Sequence, residues 1–392
     1  MSGSHFKVAW VDRAADVPES TWAQFFAPPL EGAWWYRALE QSGLDDQFSF
    51  RYLLLTQGPA TVGLVPTFLM DVPMRLVVPP GLLPWVSALG HVFPWLRAQR
   101  TLFVGSPCAE EGWIGLASGI DVPAALRCID AALRAEMRRH RASVRVWKDF
   151  GAEWDDVLGS LAREAGMFRL VSFPGTAVAL SHGSREGYLQ SLGGNRRHQF
   201  KKKIRRSKEA VGLGVEVLRQ PDDPTLDKLF ALFWQTYEKA TTRFERLNRR
   251  FFGLVAAEST TSFIVLRAPT TSQPVAFMMC FEFPGQLVNK FIGIDYCTPR
   301  EWMLYFRLWD AAVDHAIHLG AKVLQSGQTG YRPKIDLGHD LVPLTNYGAH
   351  RNPLIHWIYA RVAAEVDWGT LDPALASALE AHPELSHLQR KF

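Results

Sequence analysis

Ser262-Phe-Ile-Val-Leu-Arg267, Pro274-Val-Ala-Phe-Met-Met-Cys-Phe-Glu-Phe283 and Leu287-Val-Asn-Lys-Phe-Ile-Gly-Ile294 follow one another closely, the last two joined by Pro284-Gly285. Runs of this length, rich in Val, Ile and Phe and bounded by turn residues, read as strands and hairpins. After Asp295-Tyr296 the period changes. Trp302, Tyr305, Phe306, Trp309, Ala312, Val313, Ala316 and Ile317 recur at three- and four-residue steps, which predicts a helix with one buried face. Gly320 is placed to end that helix. Lys322-Val-Leu-Gln325 reads as a short strand, and Ser326-Gly-Gln-Thr-Gly-Tyr-Arg-Pro-Lys-Ile-Asp-Leu-Gly338 as a polar, Gly-rich run.

A similar order precedes this stretch. Helical signals lie between residues 18 and 43, interrupted at Pro28-Pro29, and are followed by strands at Phe48–Leu55 and Thr61–Leu69. Thr101–Val104 is a further strand, Val122–Arg139 a helix, Ser143–Trp147 a strand and Trp154–Ala165 a helix. Helix, hairpin, helix and strand therefore occur once before residue 180 and again after 185. The pattern predicts an α/β protein of two domains of one fold, each a mixed twisted sheet flanked by helices. The join is placed at Ser181–Ser184, giving domains 1–182 and 183–392, the second ending in helical elements.

The totals bound the function. At 392 residues the chain is long enough for two domains. A net charge of +4 is too small for a general nucleic-acid binder, but the basic residues cluster. Cys108, Cys128, Cys280 and Cys297 show no metal-ligand spacing, so no metal is expected. Reduced cysteines and a start without an apolar signal core predict a cytoplasmic protein. Leu76–Leu96 is uncharged but carries Pro79, Pro80, Pro84 and Pro94, so no transmembrane span is expected. It reads as an apolar loop, and its sharper reading is a lid that presents Trp85 and Phe93 to an acyl chain. P-loop, GxSxG, HExxH and Rossmann glycine patterns are all absent.

Three features together resemble the GNAT acyltransferase superfamily in its tandem-domain branch. That branch includes cellulose-biosynthesis-type acetyltransferases, the peptidoglycan-biosynthesis proteins and, more distantly, the Fem aminoacyl transferases. The features are the basic helix Asn195-Arg-Arg-His-Gln-Phe-Lys-Lys-Lys-Ile-Arg-Arg206, the strand pair leading to the helix after Asp295, and Gly327…Gly330-Tyr331…Lys334…Gly338 with Pro343–Tyr347 and His350–Pro353. The resemblance spans roughly residues 185 to 360. It implies attack of an amine on an acyl thioester, with acyl-CoA or an acyl-phosphopantetheine arm as donor.

The site residues follow from that implication and from residue chemistry. Arg196, Arg197, Lys202 and Arg205 form a phosphate grip. The family's glycine turn should lie in Tyr296–Leu304, where the chain has Thr298 and Arg300 but no glycine. Thr298 is expected to cap the helix with Pro299 at its first position. Asp295, Tyr331, Lys334 and His350 are the candidates for proton transfer and leaving-group chemistry, and His339 is a further proton acceptor. Arg243, Glu245 and Gln328, with Trp85 and Phe93, are the candidate substrate contacts. The acceptor is an amine of an amino acid, peptide or sugar, and an acyl carrier protein is a candidate partner. The alternatives are a tRNA-dependent transferase of the Fem type and a non-catalytic peptide- or carrier-binding protein that kept the fold.

Overall fold

The computed structural model describes residues 5–74, 97–240, 243 and 245–389. It divides into two compact units, one holding the chain up to Phe173 with Pro343–Leu371, the other Pro174–Val342 with Asp372–Ser386. Each unit is built on one mixed sheet flanked by helices, consistent with tandem GNAT-like α/β domains. The apolar run Leu76–Leu96, with Trp85 and Phe93, lies outside the described residues. No helix among the described residues is long and apolar enough to cross a membrane.

The first sheet contains β1 (Phe6–Val11), β2 (Ser49–Gln57), β3 (Ala60–Pro73), β4 (Ala98–Val104), β5 (Gly115–Leu116), β6 (Val144–Phe150) and β7 (Phe168–Val171). Strands β1 to β4 run antiparallel in sequence, β6 lies parallel to β4, and β5 pairs with β3. Helices α1 (Glu19–Phe25), α2 (Ala33–Gln41), α3 (Val122–Arg139) and α4 (Asp155–Ala165) belong to this unit. Asp121 caps α3, its carboxylate accepting the Ala124 N–H at 3.0 Å. Leu126, Ile129 and Leu133, one helical turn apart, bury that helix against Leu53, Leu102, Trp147 and Phe150.

The second sheet contains β8 (Gly175–Ala179), β9 (Gly214–Leu218), β10 (Thr261–Arg267), β11 (Pro274–Phe283), β12 (Gln286–Ile294), β13 (Val323–Ser326) and β14 (Asp340–Val342). Their order is β14-β8-β13-β12-β11-β10-β9, with only β12 and β13 parallel. Its helices are α5 (Arg185–Ser191), α6 (Gly194–Ala210), α7 (Asp223–Lys239), α8 (Arg249–Ala256), α9 (Leu304–His318) and α10 (Tyr331–Asp336). Continuous apolar strands fit a sheet covered on both faces. Ile264, Met278, Leu287 and Leu324 pack with Phe200 and Ile204 of α6 and Leu308, Trp309 and Val313 of α9. On the opposite face, Phe291 of β12 meets Phe233 of α7 and Phe252 of α8, with ring centroids 5.8 and 5.6 Å apart. Gly293 lets α7 cross closely, because a Cβ there would lie 2.7 Å from the Leu232 carbonyl carbon. Gly320 ends α9 in a left-handed turn, with Ala321 N–H bonded to Ala316 O and Gly320 N–H to Ile317 O, both at 2.9 Å.

Several expectations need correcting. The strand Gly175–Ala179 pairs with β13, so the division falls at Phe173/Pro174 rather than 182/183. Thr345–His350 (β15) does not stay with the second domain. It enters the first sheet between β6 and β7, with His350 opposite Val144 and Tyr347 opposite Arg169. Backbone ladders to strands far away in sequence set that placement, and local periodicity carries no record of them. Within the polar run Ser326–Gly338, Tyr331–Asp336 is helical. Thr298 does not cap α9. Its hydroxyl donates to Asp295 O at 2.8 Å, Arg300–Trp302 forms a separate 3-10 turn, and α9 starts only after Met303. Beyond β15 come α11 (Pro353–Glu365), α12 (Trp368–Leu371) and α13 (Pro373–Ala381).

At the end of β11, Glu282 accepts His315 Nε2 at 2.8 Å and pairs with Arg219. Burial alone would push this carboxyl up, but the hydrogen bonds from His315 and Arg219 outweigh it and hold it down at about 2. Because the folded-state value lies below the ordinary 4.5, the stabilisation is complete above the ordinary value and is lost as pH falls toward the lower one. Glu282→Gln is therefore expected to cost about 1–3 kcal/mol at neutral pH and to flatten the loss of stability in acid. Urea unfolding of wild type and variant at neutral pH and across the acid range checks this, and parallel acid limbs would count against it.

Candidate functional site

The second sheet forks between β12 and β13. Their parallel pairing runs only from Gln286 opposite Val323 to Asn289 opposite Ser326. Strand β12 then passes an irregularity at Lys290, where the register with β11 shifts, and continues to Ile294. Among the described residues, its edge on the β13 side has no ladder partner over that length. Thr236 Oγ1 of α7 accepts the Ile294 N–H there at 3.1 Å. Strand alternation directs the Ile292 N–H to the same open edge.

Polar side chains collect where the strands part. Asn289 is buried and its Nδ2 donates to Ser326 Oγ at 3.1 Å, but its Oδ1 has no partner. Lys334 is buried in α10, its Nζ donating to Ser326 O at 2.9 Å and Gly327 O at 3.0 Å. Thr176 Oγ1 lies on the same two carbonyls. Tyr331 is fully buried, its hydroxyl 3.0 Å from Pro174 O and also against Gln328 O. Gln328 Nε2 is buried without a partner. An orphaned buried polar atom costs about 1–3 kcal/mol. Among the described residues the fork thus leaves the acceptor Asn289 Oδ1 and the donor Gln328 Nε2 unpaired, beside an open strand edge. Such a set matches an amide or an amine and a carbonyl.

The structure sorts the residues proposed from sequence. Tyr331, Lys334 and Gln328 gather at the end of β13. Asp295 follows β12, and its carboxylate closes a local turn by accepting Cys297 N–H at 2.9 Å. His350 belongs to the first unit, on β15, where burial lowers its basicity and Asn352 N–H approaches its Nδ1 at 2.9 Å. His339 stands 4.6 Å from Trp309, ring to ring. Burial, with the nearby Lys334 charge, pushes its imidazole down to about 3, so it is neutral at physiological pH and a weak base. Arg243 donates to the Ala240 carbonyl at 3.1 Å and to that of Glu238, whose carboxylate instead accepts Trp234 Nε1 at 3.0 Å. Glu245 is half-buried in the segment after α7. Thr242 lies outside the described residues.

The basic helix α6 carries eight Lys and Arg and one Glu. Arg196 meets His382 Nδ1 at 2.8 Å, Arg197 is half-buried, and Lys202 and Arg205 are exposed, with Arg205 3.9 Å from Glu209. A groove of about 470 Å³ lies on this helix, floored by Leu189, Phe200 and Ile204 and edged by Lys201, Arg205 and Lys208. The later half of α6 packs on the segment after β12. Ser207 Oγ donates to Trp302 O at 2.6 Å, and Lys203 Nζ stands 3.8 Å from the Phe306 ring centroid. These contacts set the later half of α6, with Lys203 and Ser207, beside the start of α9. That helix has no side-chain cap at its N-terminus, so its first N–H groups remain open to an anion. Asn289, Ser326 and Thr176 escaped the sequence reading. The one available signal was an Asn within the apolar run Leu287–Ile294.

A profile of the FemAB-like family, described as peptidoglycan biosynthesis/recognition, matches residues 162–359. No curated protein matches the sequence. Among solved structures, FemX is similar with a TM-score of 0.55 at 9% identity, over 82% of this chain and 93% of that one. A tandem GNAT protein from the clavulanic acid biosynthesis pathway gives 0.52 at 11% identity, over 89% and 99%. L-PGS from Bacillus licheniformis gives 0.51 at 12% identity, over 85% and 96%. At such identities the likeness shows the fold alone. With half of its length matched by the family profile, the chain belongs to the FemAB-like family.

Proposed function

We propose that the protein is an N-acyltransferase. It moves an acyl group from a thioester, carried by coenzyme A or by an acyl-carrier phosphopantetheine arm, to an amine of an amino acid, peptide or sugar. The observation that carries this reading is the fork: an open β12 edge with the Ile292 N–H, beside the unpaired Asn289 Oδ1 and Gln328 Nε2. In this reading Ile292 N–H donates to the thioester oxygen as negative charge develops there. Asn289 Oδ1 accepts an N–H of the attacking amine and holds its lone pair toward the carbonyl carbon. The new C–N bond forms, the C–S bond breaks, and the amine's proton ends on the departing thiol. Lys334 and Tyr331 act here as positioning residues, since their polar ends are committed to backbone carbonyls.

The donor's phosphates are assigned to Lys202 and Arg205 of α6, to Arg300 and to the open N-terminus of α9. A tRNA-linked donor is the second reading. The glycine-free Tyr296–Leu304 segment favours it, because the usual pyrophosphate turn is missing there. The orphaned polar atoms support a ligand at the fork, because a protein without one gains nothing from keeping them unpaired.

Two measurements test the reading, both by thiol release from a panel of acyl-CoA donors with amino-acid and peptide amines. Lys202→Glu with Arg205→Glu is expected to raise the donor KM several-fold, leave Tm unchanged, and lose its effect as salt screens exposed charge over about 8–10 Å. Unchanged kinetics at low salt would remove α6 from donor binding, and activity that requires charged tRNA and vanishes with RNase would select the second reading. Asn289→Leu is expected to change Tm little, since removal of an unpaired buried acceptor offsets loss of the hydrogen bond to Ser326, while lowering kcat/KM by about tenfold or more. A variant of full activity would end the role given to the fork.

A further inference from the structure

Helix α11, in the first unit, turns its polar side inward. His356 and Tyr359 pack on Phe168 of β7, with ring centroids 5.6 and 6.1 Å away, and Tyr359 Oη donates to Gln99 Oε1 at 2.8 Å. The side turned to solvent is apolar. Leu354, Trp357 and Ile358, spaced one helical turn apart, are 68%, 56% and 43% exposed. Contiguous large apolar side chains on a surface mark a face that something covers.

The rim of this face is cationic. Arg361 stands over the Trp357 ring at 5.0 Å. Arg351, just before the helix, donates its N–H to Ser143 O at 2.8 Å. That bond brings the last turn of α3, with Arg138 and Arg139, and the turn after it, with Arg141, to the same end of α11. All five arginines are exposed, and among the described residues none of them has an ion pair. The one acidic residue on α11 is Glu365, at its far end.

We propose that α11 docks the protein on an anionic bilayer surface. Trp357, Leu354 and Ile358 enter the boundary between headgroups and acyl chains, and the arginines meet lipid phosphates. A second copy of the chain fits this face poorly. A two-fold interface brings the same patch from both partners together, so each arginine rim would meet another. An anionic bilayer answers both the apolar centre and the cationic rim. The inference stands apart from the choice of donor and acceptor.

The test is co-sedimentation of the full chain with vesicles of phosphatidylcholine containing about one third phosphatidylglycerol, against pure phosphatidylcholine, alongside solution mass measurement without lipid. The wild type is expected to sediment with the anionic vesicles at low salt and not with the neutral ones. Leu354→Ser with Trp357→Ser should weaken binding about tenfold or more at unchanged Tm. Arg351→Glu with Arg361→Glu should weaken it several-fold, with a difference that shrinks as salt rises. No sedimentation at low salt, or binding that the α11 substitutions leave intact, would overturn the proposal. A dimer that the Leu354/Trp357 variant dissolves would instead assign the face to a second copy.

Discussion

A buried ammonium holds the second unit's site together. Lys334 Nζ sits among protein atoms and donates to the last carbonyl of β13 and the first carbonyl beyond it. Burying a charge costs several kcal/mol unless its donors are satisfied. These carbonyls therefore fasten α10 to the end of β13 and turn the chain away from β12. The strand pair cannot extend, and the β12 edge past Asn289 stays open. The same charge helps keep His339 neutral. In the proposed reading Lys334 shapes the fork without touching a reacting atom.

The two sheets share the chain. Strand β15 is made after the second unit is nearly complete in sequence, yet it lies between β6 and β7 of the first sheet. After α12 the chain leaves again, and α13 packs in the second unit, where its neighbour His382 meets Arg196. Neither sheet is complete until residues beyond 340 are in place. Pairings of such long sequence separation demand loop closure before they return any stability. Each unit is therefore built from chain segments that are distant in sequence.

Charge is distributed by position, and the small total conceals it. Eight cations on α6 carry the second unit's positive field beside the start of α9, where a helix N-terminus adds its own. Other cations are consumed internally, as Arg145 is by Asp130 at 2.8 Å and Arg249 by Asp223 and Asp227 at 2.8 and 2.6 Å.

The strands β10 to β12, helices α3, α6 and α9, and the Gly320 stop were legible in the sequence. Each rests on local physics: side-chain period, turn residues and caps act over a few positions. The duplication of sheet and helices followed from their order. The short strand β9 and helix α8 went unseen because neither has a period long enough to stand out. The fork was legible only through Tyr331, Lys334 and Gln328, and its geometry was not. Asn289 becomes significant only because its strand loses a neighbour there, and Tyr331 and Lys334 prove to face backbone carbonyls only once α10 is folded beneath β13. The exchange of β15 and the outward apolar face of α11 likewise depend on which distant strands and rings lie alongside. Periodicity tells which residues of a helix share a side. Only the tertiary packing decides which side meets the protein.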